Sequence, residues 1–320
     1  MSLTNFSAID FNQLPTPELI EPLSFDILKN NIVEEFVARY PDFEADLPSE
    51  PIIKLLETFA YRELLLRQRI NEGAEHVLLA KATDKELDYL GMRFGVSREL
   101  SQDGIDESNE RYRSRIGLAL EGFSTAGPAG AYVFHTLKAS SHVKDVFVDA
   151  PEFEGHSIPS ELSKFVPPDA ILLRSTHTAG LDNAQPGDVV ITVLSDQGDG
   201  HASQEIIDAV YTHLNGEEIR PLTDRVHVRT AVINRFKIEA KLELYQGPNE
   251  QEILAQVERH CAEWLASQYK LGHDISLSSL YAALHQAGVK RVNLISPAHD
   301  IQVASQEAPF CTELNIAVEN

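Results

Sequence analysis

The sequence predicts an α+β protein: an N-terminal helical region followed by two small, related α+β domains that have mixed sheets and helices on one face. Three observations support this fold class. Apolar residues recur three or four positions apart through the first third of the chain, which indicates amphipathic helices. After about residue 140, alternating apolar and polar runs are interleaved with helical patterns, which indicates small sheets. With 320 residues, the chain is also too long for one ordinary core.

The helical region is predicted over residues 23–125, after an N-terminal arm at residues 1–22 in which prolines favour an extended conformation. Ser24 is expected to cap a helix that runs from Phe25 to Tyr40. The strongest helical pattern follows over residues 52–82. Thirty helical residues would span about 45 Å, which is longer than most globular helices.

The first α+β domain is predicted over residues 126–232 and the second over residues 233–320. Both domains are expected to contain helices and strands. They are Pro128–Ala139, Val143–Val148, Val189–Leu194, Gln204–Leu214 and Arg225–Val232 in the first, and Phe236–Tyr245, Glu250–Tyr269, Leu277–Gln286, Val289–Ile295 and Glu313–Val318 in the second.

A short sequence repeat suggests that these two domains are related. The first contains VKDVFVDAP, and GDVVITVL comes later; the second contains VKRVNLISP, and TELNIAVEN comes later. Chance similarity of such short segments is the alternative. Residues 152–186 interrupt the first domain between its two strands, and we interpret them as an inserted hairpin or surface loop.

Composition excludes several classes of protein. The net charge of −22 and the absence of a Lys/Arg run argue against nucleic-acid binding. No apolar run is long enough to cross a membrane, and the start of the chain lacks a signal-peptide pattern, so a cytoplasmic protein is expected. Cys261 and Cys311 lack metal-site spacing, and we interpret both as small core residues.

No catalytic, cofactor-binding or metal-binding residues are predicted, because the histidines are scattered and no nucleophile motif is present. The nearest candidate is SDQGDGH, in which Asp196, Asp199 and His201 surround two glycines. Carboxylates in such a turn can hold Ca²⁺, but the EF-hand ligand spacing is absent. A tight connection between a strand and a helix explains the same residues.

Two features suggest contacts with other chains. The apolar stripe of the long helix is either the core of its own domain or a seam that another chain completes. Its candidate interface residues are Ile52, Leu55, Leu56, Phe59, Leu66 and Ile70. Arg111 and Arg115, in the segment RYRSRI, share one helix face, which either is solvated or meets carboxylates of this or another subunit.

The ordered series LPTPELIEPLSF, EPIIKLLETFAYRELLLRQRINEGAEHVLLAKATDKELDYL, RYRSRI, STAGPAGAYVFH, VKDV, RPLTDRV and AGVKRVNLISP resembles the baseplate J-like family over nearly the whole chain. That family supplies wedge proteins of contractile phage tails and related bacteriocin particles. The resemblance implies a non-enzymatic structural subunit without a cofactor. It also implies a protein that is made in the host bacterial cytoplasm and then built into the tail baseplate.

The resemblance also implies partners. Wedge proteins of this family pair with each other and with a tail protein I-like partner. Six wedges then ring the central spike, next to the sheath initiator and hub proteins, and their rearrangement starts sheath contraction. Two other classes stay open from the residues alone: a binding adaptor that remains monomeric, and a hydrolase that uses a carboxylate pair such as Asp196 and Asp199.

Overall fold

The structure is a computed structural model that describes residues 23–43, 49–100, 106–122, 128–159, 161, 164–167, 169–245 and 249–319. The predicted arm at residues 1–22 lies outside them. The chain divides into two compact units. The described residues within 9–98 and 108–116 form a helical unit, and those within 99–107 and 117–320 form an α+β unit. Helices followed by mixed sheets confirm the predicted fold class.

The helices of the first unit begin where the sequence signals place them. Their bounds are Phe25–Arg39 for α1, Pro51–His76 for α2 and Asp84–Met92 for α3, and α4, Asn109–Gly122, also begins here. The Ser24 side chain accepts a hydrogen bond from the backbone N–H of Ile27 at 3.4 Å, as its predicted capping role requires.

Helix α2 is shorter than the predicted helix over residues 52–82, because it ends at His76 and turns follow. The buried guanidinium of Arg113 donates from Nε to the carbonyl of Leu79 at 2.8 Å and from Nη2 to that of Ala82 at 2.7 Å. These bonds stabilise the turns, because they direct the two carbonyls at the Arg113 side chain instead of along a helix axis. The path of the chain after His76 therefore depends on a contact with a residue more than thirty positions away, which the local sequence pattern does not show.

The core of the helical unit is small and lies where the helices meet. Tyr112 is its largest fully buried side chain, and its hydroxyl donates to the carbonyl of Val96 at 2.8 Å. Gly91 lets α3 approach this ring, since an added Cβ would overlap the Tyr112 hydroxyl. Other buried members are Leu28, Ile53, Leu56, Ala60, Ala82, Leu87, Val96 and Ile116.

The first sheet of the α+β unit has the order β1–β4–β5, with β1 antiparallel and β5 parallel to the central strand. Helices α5 and α6 pack on each other, and they contact β1 and β5 respectively. Their bounds are Ala129–Ala139 for α5, Val143–Asp149 for β1, Asp188–Ser195 for β4, Gln204–Leu214 for α6 and Arg225–Thr230 for β5.

The predicted insertion contains a separate two-stranded antiparallel hairpin of β2, Glu152–His156, and β3, Leu172–His177. Every residue of β3 is exposed. The segment after it returns to the first sheet, however. Ala179 is buried, and the backbone N–H of Arg225 donates to the carbonyl of Gly187 at 2.7 Å. The chain therefore contacts the first sheet from Ala179 onward, although most of residues 180–187 are exposed.

The second sheet has the order β7–β6–β8, with β7 antiparallel and β8 parallel to the central strand. The bounds are Val232–Leu244 for β6, Glu250–Gln268 for α7, Leu277–Leu284 for α8, Val289–Ser296 for β7 and Glu307–Val318 for β8. Its core contains Ile238, Leu242 and the free Cys261, whose pKa burial raises to about 12. The expected role of Cys261 as a core residue is confirmed.

Of the two strands matched by the sequence repeat, only one occupies the same place in both sheets. The matched segments beginning VKDV and VKRV form β1 and β7, and each is the edge strand antiparallel to its central strand. GDVVITVL forms the central strand β4, whereas TELNIAVEN lies largely in the parallel edge strand β8. The two sheets therefore share an arrangement of strands but differ in the order in which the chain visits them.

The two sheets also share a small core. It contains Leu194 and Phe147 from the first sheet region and Leu271 and Ala308 from the second. The buried carboxylate of Asp145 accepts the backbone N–H of Leu271 at 2.8 Å, which joins the two regions by a charge-assisted hydrogen bond.

Candidate assembly surface

Helix α2 presents large apolar side chains to solvent along one face. Phe59 is 56% exposed, Leu66 is 65% exposed and Ile70 is 69% exposed, and Leu55 is also exposed. Their spacings of four, seven and four residues place all four side chains within about 60° of arc on a helix. We call Leu55, Phe59, Leu66 and Ile70 the outer stripe. A contiguous exposed apolar surface of this kind is typical of a protein interaction site.

A second apolar face of the same helix packs inside the chain. Ile53, Leu56 and Ala60 are buried, and Leu56 is only 5% exposed. Leu56 is predicted as a candidate interface residue, but in this structure its side chain already lies in the core of its own unit. Ile52 is half-buried at the margin between the two faces.

The buried face covers only the beginning of α2. In the described structure, no residue from Tyr61 to His76 is buried, although this stretch spans about 24 Å of helix. Local ion pairs support it, such as Arg67 Nη2 to Glu63 Oε1 at 2.8 Å. Such pairs contribute only about 0.3–0.5 kcal/mol each, so most of the stability of a protein helix must come from packing of an apolar face.

Arg115, predicted as a candidate for charge contacts with another subunit, packs inside its own unit in this structure. Its side chain is buried, 2% of the residue is exposed, and Nη2 donates to the carbonyl of Ser97 at 2.7 Å. Arg111 is half-buried. The segment RYRSRI thus contributes mainly to the core, since Arg113 and Tyr112 are buried as well. The structural role of Arg113 was missed, because only the fold brings the Leu79 and Ala82 carbonyls to it.

The acidic turn before α6 is held by ion pairs and hydrogen bonds. Asp196 Oδ1 lies 3.2 Å from His142 Nδ1, and Asp199 pairs with Arg235. The backbone N–H of His201 and the Arg235 side chain lower the pKa of Asp199. These contacts favour the interpretation as a structural turn. Within the described ranges, no cluster of three or more His, Cys, Asp or Glu side chains has the geometry of a metal site.

Two facing imidazoles lie between α5 and α6. The ring centroids of His135 and His213 are 5.7 Å apart, and within the described residues His135 Nδ1 and His213 Nε2 are buried without a hydrogen-bond partner. Burial, as the main cause, lowers the pKa of both groups. The sequence offered no signal for this pair, because the residues are far apart along the chain.

Of the helices in the described part of the chain, none combines the length and apolar character needed to cross a lipid bilayer.

Comparison with known proteins places the chain in one family. Three family models match it in order: the baseplate J-like N-terminal domain over residues 48–104, the baseplate J-like central domain over residues 124–230 and the baseplate J-like protein C-terminal domain over residues 236–317. The chain is also 36% identical over 325 residues to a protein named baseplate protein J of Escherichia phage P2, with 96% of this chain and 97% of that protein covered. The outer stripe lies within the range of the N-terminal family model. The chain therefore belongs to the baseplate J-like family.

Proposed function

We propose that this chain is a wedge subunit of a contractile phage-tail baseplate, and that another polypeptide covers the outer stripe of α2. Family membership supports a structural protein of the phage baseplate. The observation that carries the finer assignment is the exposure of Leu55, Phe59, Leu66 and Ile70 on a helix whose later part has no buried residue in the described structure.

The expected gain from covering the outer stripe is substantial. Full burial of a Leu, Ile or Phe side chain contributes about 1.5–3 kcal/mol. The four side chains are roughly half to two-thirds exposed, so their remaining burial would contribute about 4–7 kcal/mol before the costs of association. This is enough for these side chains to act as the central anchors of an interface.

In this proposal, the chain associates with a second copy and with a tail protein I-like partner in the host cytoplasm. The resulting wedges surround the central spike, and a change in their arrangement is passed on to the sheath. The C-terminal α+β region would then serve contacts between copies. The division into residues 23–125, 126–232 and 233–320 stays a prediction at the level of domains.

The experiment is co-expression of the tagged chain with the tail protein I-like partner, followed by affinity capture. Phe59→Asp and Leu66→Asp should each abolish capture, because either change would bury a carboxylate in an apolar seam at a cost of several kcal/mol. Leu222→Asp is the matched control, since Leu222 is fully exposed in a turn outside α2. It should leave capture unchanged.

Both stripe variants should fold normally, because the side chains they replace are exposed. Circular dichroism spectra equal to that of the unchanged chain would establish this. Capture that survives both substitutions would contradict the proposal. A chain that stays monomeric by light scattering, with and without the partner, would instead support the adaptor alternative.

A further inference from the structure

The two edges of the outer stripe differ in charge. Along one edge, Glu63 and Arg67 form an ion pair with each other. The opposite edge carries Arg62 and Arg69, both exposed, and neither has a partner in the described part of the chain. These two arginines are seven positions apart in the sequence, so they lie about 10.5 Å apart along the same edge. One edge is therefore neutralised within the chain, and the other presents two unpaired cations.

Unpaired arginines beside an apolar seam favour a covering helix that has negative charge at the matching positions. A helix packed along the outer stripe would place its own flanking residues against this edge, as the residues that flank a coiled-coil seam do. Carboxylates there would form charge-assisted hydrogen bonds with the guanidinium groups, whereas cations would be repelled. The matching distance of about 10.5 Å corresponds to two acidic residues seven positions apart on the covering helix.

A second copy of this chain does not offer that pattern. Within the bounds of the described helices, no helix has two Asp or Glu residues seven positions apart. Two copies of α2 packed antiparallel would also bring this edge of each copy against the same edge of the other. Packed in parallel, this edge would face that of Glu63 and Arg67, whose charges already pair with each other. The charge pattern therefore favours a different polypeptide at this position.

We infer that the outer stripe of α2 receives an amphipathic helix of another protein, which has acidic residues seven positions apart facing Arg62 and Arg69. This inference rests on the proposed function and adds the chemistry of the partner at that same surface. The apolar side chains supply most of the affinity. The two arginines select the partner and fix its position along α2.

The test uses the full chain and two synthetic helical peptides as probes. Both peptides have the same leucine stripe, but one has two glutamates seven positions apart on its edge and the other has lysines there. Fluorescence anisotropy should show binding of the glutamate peptide at least about tenfold tighter than that of the lysine peptide, and this preference should weaken with added salt. Equal affinity for the two peptides, or no binding of either, would overturn the inference.

The double variant Arg62→Glu/Arg69→Glu should reverse the preference between the peptides and reduce co-capture of the partner. The control, Lys85→Glu/Arg93→Glu, makes the same change in net charge at exposed positions near α3 and should alter neither result. Capture that is lost with Leu66→Asp but kept with the double charge reversal would overturn this inference alone. Capture kept with Leu66→Asp would overturn the proposed function itself.

Discussion

Arg113 provides the sharpest test of how the helical unit is held together. Its guanidinium is buried and donates to the carbonyls of Leu79 and Ala82 in the turns that follow α2. Arg113→Met keeps a long, flexible apolar side chain but removes both hydrogen bonds. The two carbonyls would then be left without these donors.

The magnitude follows from the two contacts. A hydrogen bond to a charged group contributes about 1.5–3 kcal/mol, so the loss of two should cost about 3 kcal/mol or more. The distances of 2.8 and 2.7 Å are those of well-formed charge-assisted bonds. Because 1.4 kcal/mol corresponds to a factor of ten, the local opening equilibrium should shift by about 100-fold.

Native-state hydrogen exchange measures this shift where it should occur. The backbone amide of Ala82 donates to the carbonyl of Leu78 in the same turns, and that of Leu87 donates to the carbonyl of Thr83, the N-cap of α3. Both amides should exchange about 100-fold faster in Arg113→Met. Arg62→Met is the control, since Arg62 is exposed in the same unit. A change of less than about threefold, equal to that of the control, would refute the assignment of Arg113 as the residue that holds these turns.

Two further predictions concern the α+β unit. The pKa values of His135 and His213 are lowered, so the unfolded chain takes up protons first as the pH falls below about 6.5. The free energy of unfolding should therefore decrease from that pH downward. Denaturation at pH 7.5 and 5.5 should show this decrease, and a double variant with phenylalanine at both positions should show a smaller one. An equal decrease in the double variant would show that other groups cause it. Replacement of Phe153–Thr176 by Asn-Gly should shift the melting temperature by no more than about 2 °C, because β3 has no buried residue. Loss of soluble expression would contradict the interpretation that the hairpin of β2 and β3 is an independent insertion.

Local patterns in the sequence predicted most elements well, because helical and strand periodicity reflects which side of each element is buried. The bounds of α6, Gln204–Leu214, agree with the prediction, and the Ser24 cap is confirmed. The end of α2 was misplaced. Nothing near residue 79 in the sequence indicates that the Arg113 side chain will bind the carbonyls there.

The candidate interface was only partly predictable for a related reason. Leu56 and Phe59 both occur at helical spacing among apolar residues, so the pattern could not separate the face that packs inside the chain from the face that is exposed. The charge of Arg115 favours an exposed position, but the carbonyl of Ser97 accepts a hydrogen bond from Arg115 and so allows this side chain to be buried. Sheet order was equally inaccessible, since the pairing of β8 with β6 joins segments about 75 residues apart.

Coverage of the outer stripe by another chain is most directly tested by hydrogen exchange of α2 in the isolated protein and in its complex with the baseplate partner. In the isolated chain, the amides from Tyr61 to His76 should exchange readily, because no residue of that stretch is buried in the described structure. In the complex, the same amides should become protected. A stable complex in which their exchange stays unchanged would contradict the assignment of α2 as the assembly surface.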